Sequence, residues 1–151
     1  MARLSTQVND LSAALKSAQT VTARPEIPAA DLFNRADGDR MGGKLDLALQ
    51  EYSEFVARFG TDGQASDAQY YIGSIHYSNQ DWDDAVKSFD VLLKTYLDSK
   101  RAPEALYYKA DSLARLGRWP QATETLKNLR QRFPKDPVAT RSLTVKQPAH
   151  F

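Results

Sequence analysis

DAQYYIGSIHYSNQDWDDAVKSFDVLLKTYLDS, residues 67–99, contains two apolar spacings of helical type separated by a polar break. Tyr71, Ile72, Ile75 and His76 fall on one face of a first helix, and Trp82, Ala85, Val86, Phe89, Leu92, Leu93 and Tyr96 on one face of a second. Asn79 and Gln80 supply turn chemistry between them, so the stretch predicts an antiparallel helical pair. The pattern recurs 37 residues earlier and 37 residues later. Ala48, Ala85 and Ala122 share that period, as do Leu45, Trp82 and Trp119; Tyr52, Phe89 and Leu126; Phe55, Leu92 and Leu129; and Phe59, Tyr96 and Phe133. A small residue precedes each of those alanines by twelve positions, at Ala36, Gly73 and Ala110. An aromatic stands three positions before that, at Phe33, Tyr70 and Tyr107. A fixed period in this range is the signature of a repeat architecture, each unit too small to bury its apolar face alone.

The expected fold is therefore all-α: a solenoid of three helical hairpins, with helices at 29–41, 44–59, 64–79, 82–97, 102–116 and 119–133. Gly42 and Gly43, Asn79 and Gln80, and Gly117 turn the chain within units, while Pro103 and Pro120 suit the first turn of a helix, where a missing N–H costs little. The small residues let paired helices approach closely, and the large ones fill the space between units. Trp82 and Trp119, at the start of second helices, read as buried structural residues.

With 20 basic and 19 acidic residues, the 151-residue chain carries a net charge of +1 and no broad field for nucleic acid or an anionic membrane. Lys127, Arg130 and Arg132 are too few to make a basic stripe. There is no cysteine, so disulfides, thiolate nucleophiles and cysteine-ligated zinc are excluded together. No apolar run approaches the length of about 18 residues that membrane insertion requires. Gly38 to Lys44 spells G-x-x-x-x-G-K, but Leu45 stands where a magnesium-ligating Ser or Thr would be needed, and no strand precedes it. Asp37 and Asp39 resemble the start of a calcium loop whose twelfth ligand would fall on Ala48, which cannot coordinate. His76 and His150 lack metal-spaced partners, and no acid–base constellation emerges. No cofactor, metal or catalytic set is expected, and the chain does not read as an enzyme.

Ala or Gly, then Ala twelve positions later, then an aromatic or Leu four beyond, with Pro134 closing the third unit, resembles the tetratricopeptide repeat across residues 29–137. The period exceeds the usual length of about 34 residues. The segments at 67–99 and RAPEALYYKADSLARLGRWPQATETLKNLRQRFPKDP, 101–137, resemble the long-repeat subset of bacterial envelope proteins. The nearest likeness is the periplasmic Tol–Pal-associated, YbgF-like family, in which a trimeric N-terminal coiled coil precedes three such repeats. It implies a periplasmic adaptor that coordinates outer-membrane constriction with wall synthesis at division. A second likeness, to the BamD-type lipoproteins, implies outer-membrane protein assembly. A purely oligomeric module and a cytoplasmic location are the alternatives.

The resemblance also assigns a working surface, because first helices line the concave face in this family. Its exposed positions map onto Phe33, Asp37, Arg40, Asp67, Tyr70, Tyr77, Tyr107, Asp111 and Arg115, a set of aromatics alternating with charges that suits a protein or peptide segment. Tyr77 and Arg115 are the strongest candidates; the opposing reading is that the tyrosines fill inter-repeat packing. Upstream, Leu4, Val8, Leu11 and Leu15 step by four and three, the seam of a coiled coil within residues 1–20 that would associate copies of the chain. Residues 21–28, with Pro25 and Pro28, read as a linker, 29–143 as the repeat domain with Val138 and Leu143 in a short cap, and 144–151 as a mobile tail.

Overall fold

The structure, a computed structural model, describes residues 6–13 and 26–150. Residues 6–13 are helical (α1). There follow α2 (Ala29–Met41), α3 (Leu45–Arg58), α4 (Ala65–Ser78), α5 (Trp82–Thr95), α6 (Ala102–Arg115), α7 (Trp119–Arg132) and a 3₁₀ turn, Pro137–Thr140. Every repeat helix lies within two residues of its expected bounds, and the described residues contain no strand. None of the described helices is long and apolar enough to cross a membrane.

Each helix packs on the next, and α4 also touches α6, so the hairpins α2/α3, α4/α5 and α6/α7 stack as a solenoid with first helices side by side on one face. The hairpin turns are copies of one another. Gly43, Gln80 and Gly117, 37 residues apart, take the left-handed conformation at φ +79°, +63° and +75°. Glycine adopts it freely, whereas Gln80 does so against its Cβ. In the first turn, Gly43 N–H bonds Arg40 O and Lys44 N–H bonds Asp39 O. The amides of the G-x-x-x-x-G-K run are thus spent on the turn.

Ala36, Ala48, Ala85, Ala110 and Ala122 are fully buried at the hairpin crossings. Gly73 marks the tightest approach, since a Cβ there would come within 2.6 Å of the Phe89 ring. Tyr52, Phe55, Phe89, Leu92 and Leu129 fill the layers between alanines, each contributing roughly 1.5–3 kcal/mol by leaving water. Trp119 is buried as expected, but Trp82 is only half-buried, edge-on to Tyr77 at 5.2 Å between centroids.

At the C-terminal end, Val138 and Ala139 are buried and Leu143 half-buried, closing the third repeat. Beyond it, Thr144 N–H bonds Asp111 Oδ1 at 2.7 Å and Val145 packs beside the cluster of Leu113 and Trp119. On α1, Val8 and Leu11 are 59% and 64% exposed. Leu4 and Leu15, the other seam positions, and residues 21–25 of the linker lie outside the described residues.

Candidate partner-binding site

The inner face is built from α2, α4 and α6, whose turns present one side of each first helix to a common hollow. A groove of about 450 Å³ lies there, lined by Arg40, Leu45, Tyr70, Tyr71, Ser74, Ile75, Tyr77, Ser78 and Tyr108. A larger hollow of about 640 Å³ between α5, α6 and α7 is bordered by Asp90, Lys109, Arg118 and Glu124 and has no aromatic. Large rigid rings with hydroxyl tips give contact area at low entropic cost, which favours the inner groove as a recognition surface.

Arg40, Tyr70 and Tyr77, assigned from sequence to one concave face, do meet in this groove. The other six assigned residues do not line it. Phe33 is buried edge-on to Tyr52 and Phe55, with centroids 5.7 and 5.5 Å apart. Tyr107 is buried against Tyr108, and Tyr70, although it borders the groove, is largely covered by its neighbours. Phe33 is covered within its own hairpin, Tyr70 by Tyr71 and Phe89, and Tyr107 by Tyr108 and the chain at Ser142, so all three rings are spent largely on packing. Asp111, expected at the surface, is 0% exposed. Tyr77 Oη donates to it at 2.7 Å, Thr144 gives it both N–H and hydroxyl, and Arg115 Nε lies 3.3 Å away. Burial opposes its ionisation, but these donors together outweigh burial and hold its carboxyl below the ordinary aspartate value. Tyr77 is half-buried, and burial with the Asp111 hydrogen bond pushes its hydroxyl up to about 12. Tyr77 and Arg115, the strongest candidates from sequence, both have intramolecular partners: Tyr77 bonds Asp111, and Arg115, though exposed, lies over the Trp82 ring at 4.8 Å and also bonds Thr144.

The first repeat makes a comparable cluster. Arg40 Nη2 donates to Asp37 Oδ1 at 2.6 Å, Tyr52 Oη donates to the same oxygen at 3.0 Å, and Arg40 Nε donates to Tyr52 Oη at 3.1 Å. The Arg40 hydrogen bond is the chief reason Asp37 titrates low. The Arg40 guanidinium also lies 4.2 Å from the centroid of Tyr71, in the next repeat. Asp67 is bound by Arg101 Nε at 2.7 Å, and Arg101 further donates to Tyr71 Oη at 3.1 Å and lies 4.7 Å over Tyr70. Arg40, Arg101 and Arg115 thus each have a carboxylate partner, leaving a near-neutral groove that reads shape, aromatic contact and hydrogen bonding.

Sequence reasoning left Tyr71, Tyr108, Arg101 and Thr144 out of the site. The Tyr-Tyr doublets at 70–71 and 107–108, one period apart, carried the signal for two of them. Arg101 precedes its helix and Thr144 follows the last repeat, so the periodicity reaches neither.

A sequence profile of the tetratricopeptide repeat matches residues 33–100 and, overlapping, 79–137. This chain belongs to the tetratricopeptide repeat family. The matched span covers all three hairpins from within α2 to the end of α7, and such repeats generally mediate protein–protein interaction. Among curated proteins, none matches the chain.

Proposed function

We propose that the chain is a non-enzymatic scaffold whose inner groove receives a segment of a partner protein, and that it serves the bacterial cell envelope from the periplasm. The observation that carries the scaffold reading is the near-neutral, tyrosine-lined groove spanning α2, α4 and α6. The envelope assignment is supported by the long 37-residue period and by the likeness to Tol–Pal-associated and outer-membrane assembly proteins. Ser78, exposed at the lip of the groove, offers a clean test. Ser78→Trp fills the groove without disturbing the core; affinity capture from envelope extracts of the native host should lose the partners held by the wild-type chain, with the helical signal unchanged. Undiminished capture would move the binding surface elsewhere. The captured set also separates division proteins from assembly proteins.

A second component of the proposal is self-association through α1. Val8 and Leu11 are exposed apolar residues on one helix, and such a seam is buried by pairing with other copies. A trimer is the expected state from the family likeness. Sedimentation should show concentration-dependent association that disappears on deletion of residues 1–24; a strict monomer, or an oligomer that survives the deletion, would refute it.

A further inference from the structure

Residues 142–145 cross the inner face of the third repeat in a manner that resembles a ligand more than a tail. Tyr107 Oη donates to Ser142 O at 3.0 Å. Thr144 donates its N–H to Asp111 Oδ1 at 2.7 Å and its hydroxyl to the same carboxylate, and accepts from Arg115 Nη2 at 2.7 Å. Leu143 and Val145 lie half-buried beside the cluster of Leu113 and Trp119. Among the described residues, 142–145 make no backbone-to-backbone hydrogen bond, and side chains of α6 hold them.

The period shows what this seat is. Tyr107, Asp111 and Arg115 correspond, one unit earlier, to Tyr70, Ser74 and Ser78, all of which line the open groove. The segment therefore crosses, in the third repeat, the positions that border the groove in the second. Ser74 Oγ, the counterpart of the Asp111 carboxylate, is shielded from water beside Tyr70.

We propose that residues 142–145 are a displaceable internal ligand, and that a partner inserts an extended, uncharged segment of matching chemistry in their place: an apolar residue followed by Ser or Thr whose N–H and hydroxyl face Asp111. This rests on the inner face being the partner-binding surface. Displacement does not orphan Asp111, which keeps Tyr77 Oη at 2.7 Å and Arg115 Nε at 3.3 Å, and the released Thr144 groups are satisfied by water. The seat needs no net charge in its ligand because Arg115 already balances Asp111. With the segment displaced, the path runs unbroken from the second repeat into the third.

The test uses the full chain, its Thr144→Pro variant, which lacks both donors of residue 144, and a fluorescent peptide of residues 139–147, ATRSLTVKQ. The variant should bind the peptide, and the wild type should bind it about tenfold or more weakly, because its competent fraction is small. Adding Tyr107→Phe to the variant should weaken binding by about fivefold through loss of one hydrogen bond. In the wild type, the Thr144 amide should exchange with solvent faster than the amides of α6. A folded variant that ignores the peptide, equal binding to both chains, or a Thr144 amide that exchanges only with global unfolding would overturn the proposal. So would loss of the helical signal in Thr144→Pro, since the segment would then be an integral cap. If Ser78→Trp abolishes partner capture while the peptide fails, the scaffold reading stands and this one falls.

Discussion

Gly73 is where two helices of one hairpin come closest, and replacing it by alanine tests the packing register directly. An added Cβ would stand 2.6, 2.8 and 2.8 Å from three atoms of the Phe89 ring, where carbon contacts settle at about 3.5–4.0 Å. The ring is fully buried, so with three contacts this short relief requires moving α5 or leaving a preferred rotamer, at a cost of roughly 2–3 kcal/mol, the upper part of the range for overpacking. Alanine returns up to about 1 kcal/mol of helix propensity, leaving an expected net loss of about 1–2 kcal/mol and a melting midpoint lower by about 4–8 °C. Phe89→Leu alone opens a void and should lose about 1–2 kcal/mol. The third repeat pairs Ala110 with Leu126 at the same two positions, so Gly73→Ala with Phe89→Leu recreates a combination the fold already uses. The double variant should be more stable than the sum of the single losses predicts, by about 1–2 kcal/mol. Urea unfolding followed by circular dichroism on all four proteins measures this coupling. Additive losses, or a Gly73→Ala variant as stable as wild type, would refute the assigned contact.

Gln80 holds φ +63° where the other two hairpin turns have glycine, so Gln80→Gly should raise stability by roughly 0.5–1 kcal/mol in the same unfolding assay. Asp111 titrates below its ordinary value because its hydrogen bonds outweigh its burial. Its contribution is therefore present above the unfolded aspartate pKa of about 3.9 and disappears as pH falls through the lower folded value. Asp111→Asn should lower the melting midpoint at neutral pH, and the two midpoint curves should converge in acid. Glu51 has the opposite sign: burial, then the charge of Asp39, raises its pKa, and its Oε2 has no hydrogen-bond partner. Its contribution is favourable below the unfolded glutamate pKa of about 4.3 and is lost as pH rises through the folded value. Glu51→Gln should therefore melt higher than wild type at neutral pH, with the gap shrinking as the solution is acidified.

The repeat helices were legible because each is specified three times. Ala48, Ala85 and Ala122 fix the crossings, and the intervening aromatics fix the layers, so one ambiguous unit is decided by the other two. The same regularity misled at the inner face. A helical position can be marked as facing inward from sequence, but the coverage supplied by the next unit or by the chain end cannot be read from its own helix. Phe33, Tyr70 and Tyr107 are covered by packing within and between hairpins, and Asp111 by Thr144 and Tyr77. The segment that seals Asp111 has no periodicity, so its docking rests on a few hydrogen bonds specific to this chain. Arg101 was hidden in the same way, in a linker whose role emerges only once α4 and α6 stand together.

The central claim is that the face shared by α2, α4 and α6 is where a partner sits. Photo-crosslinking in the native host can test it, with benzoylphenylalanine placed at Ser78 on that face and, as the opposing site, at Val91 on α5, which is 45% exposed. A protein partner captured from Ser78 and absent from Val91 is the predicted result. Capture from Val91 alone would contradict the account.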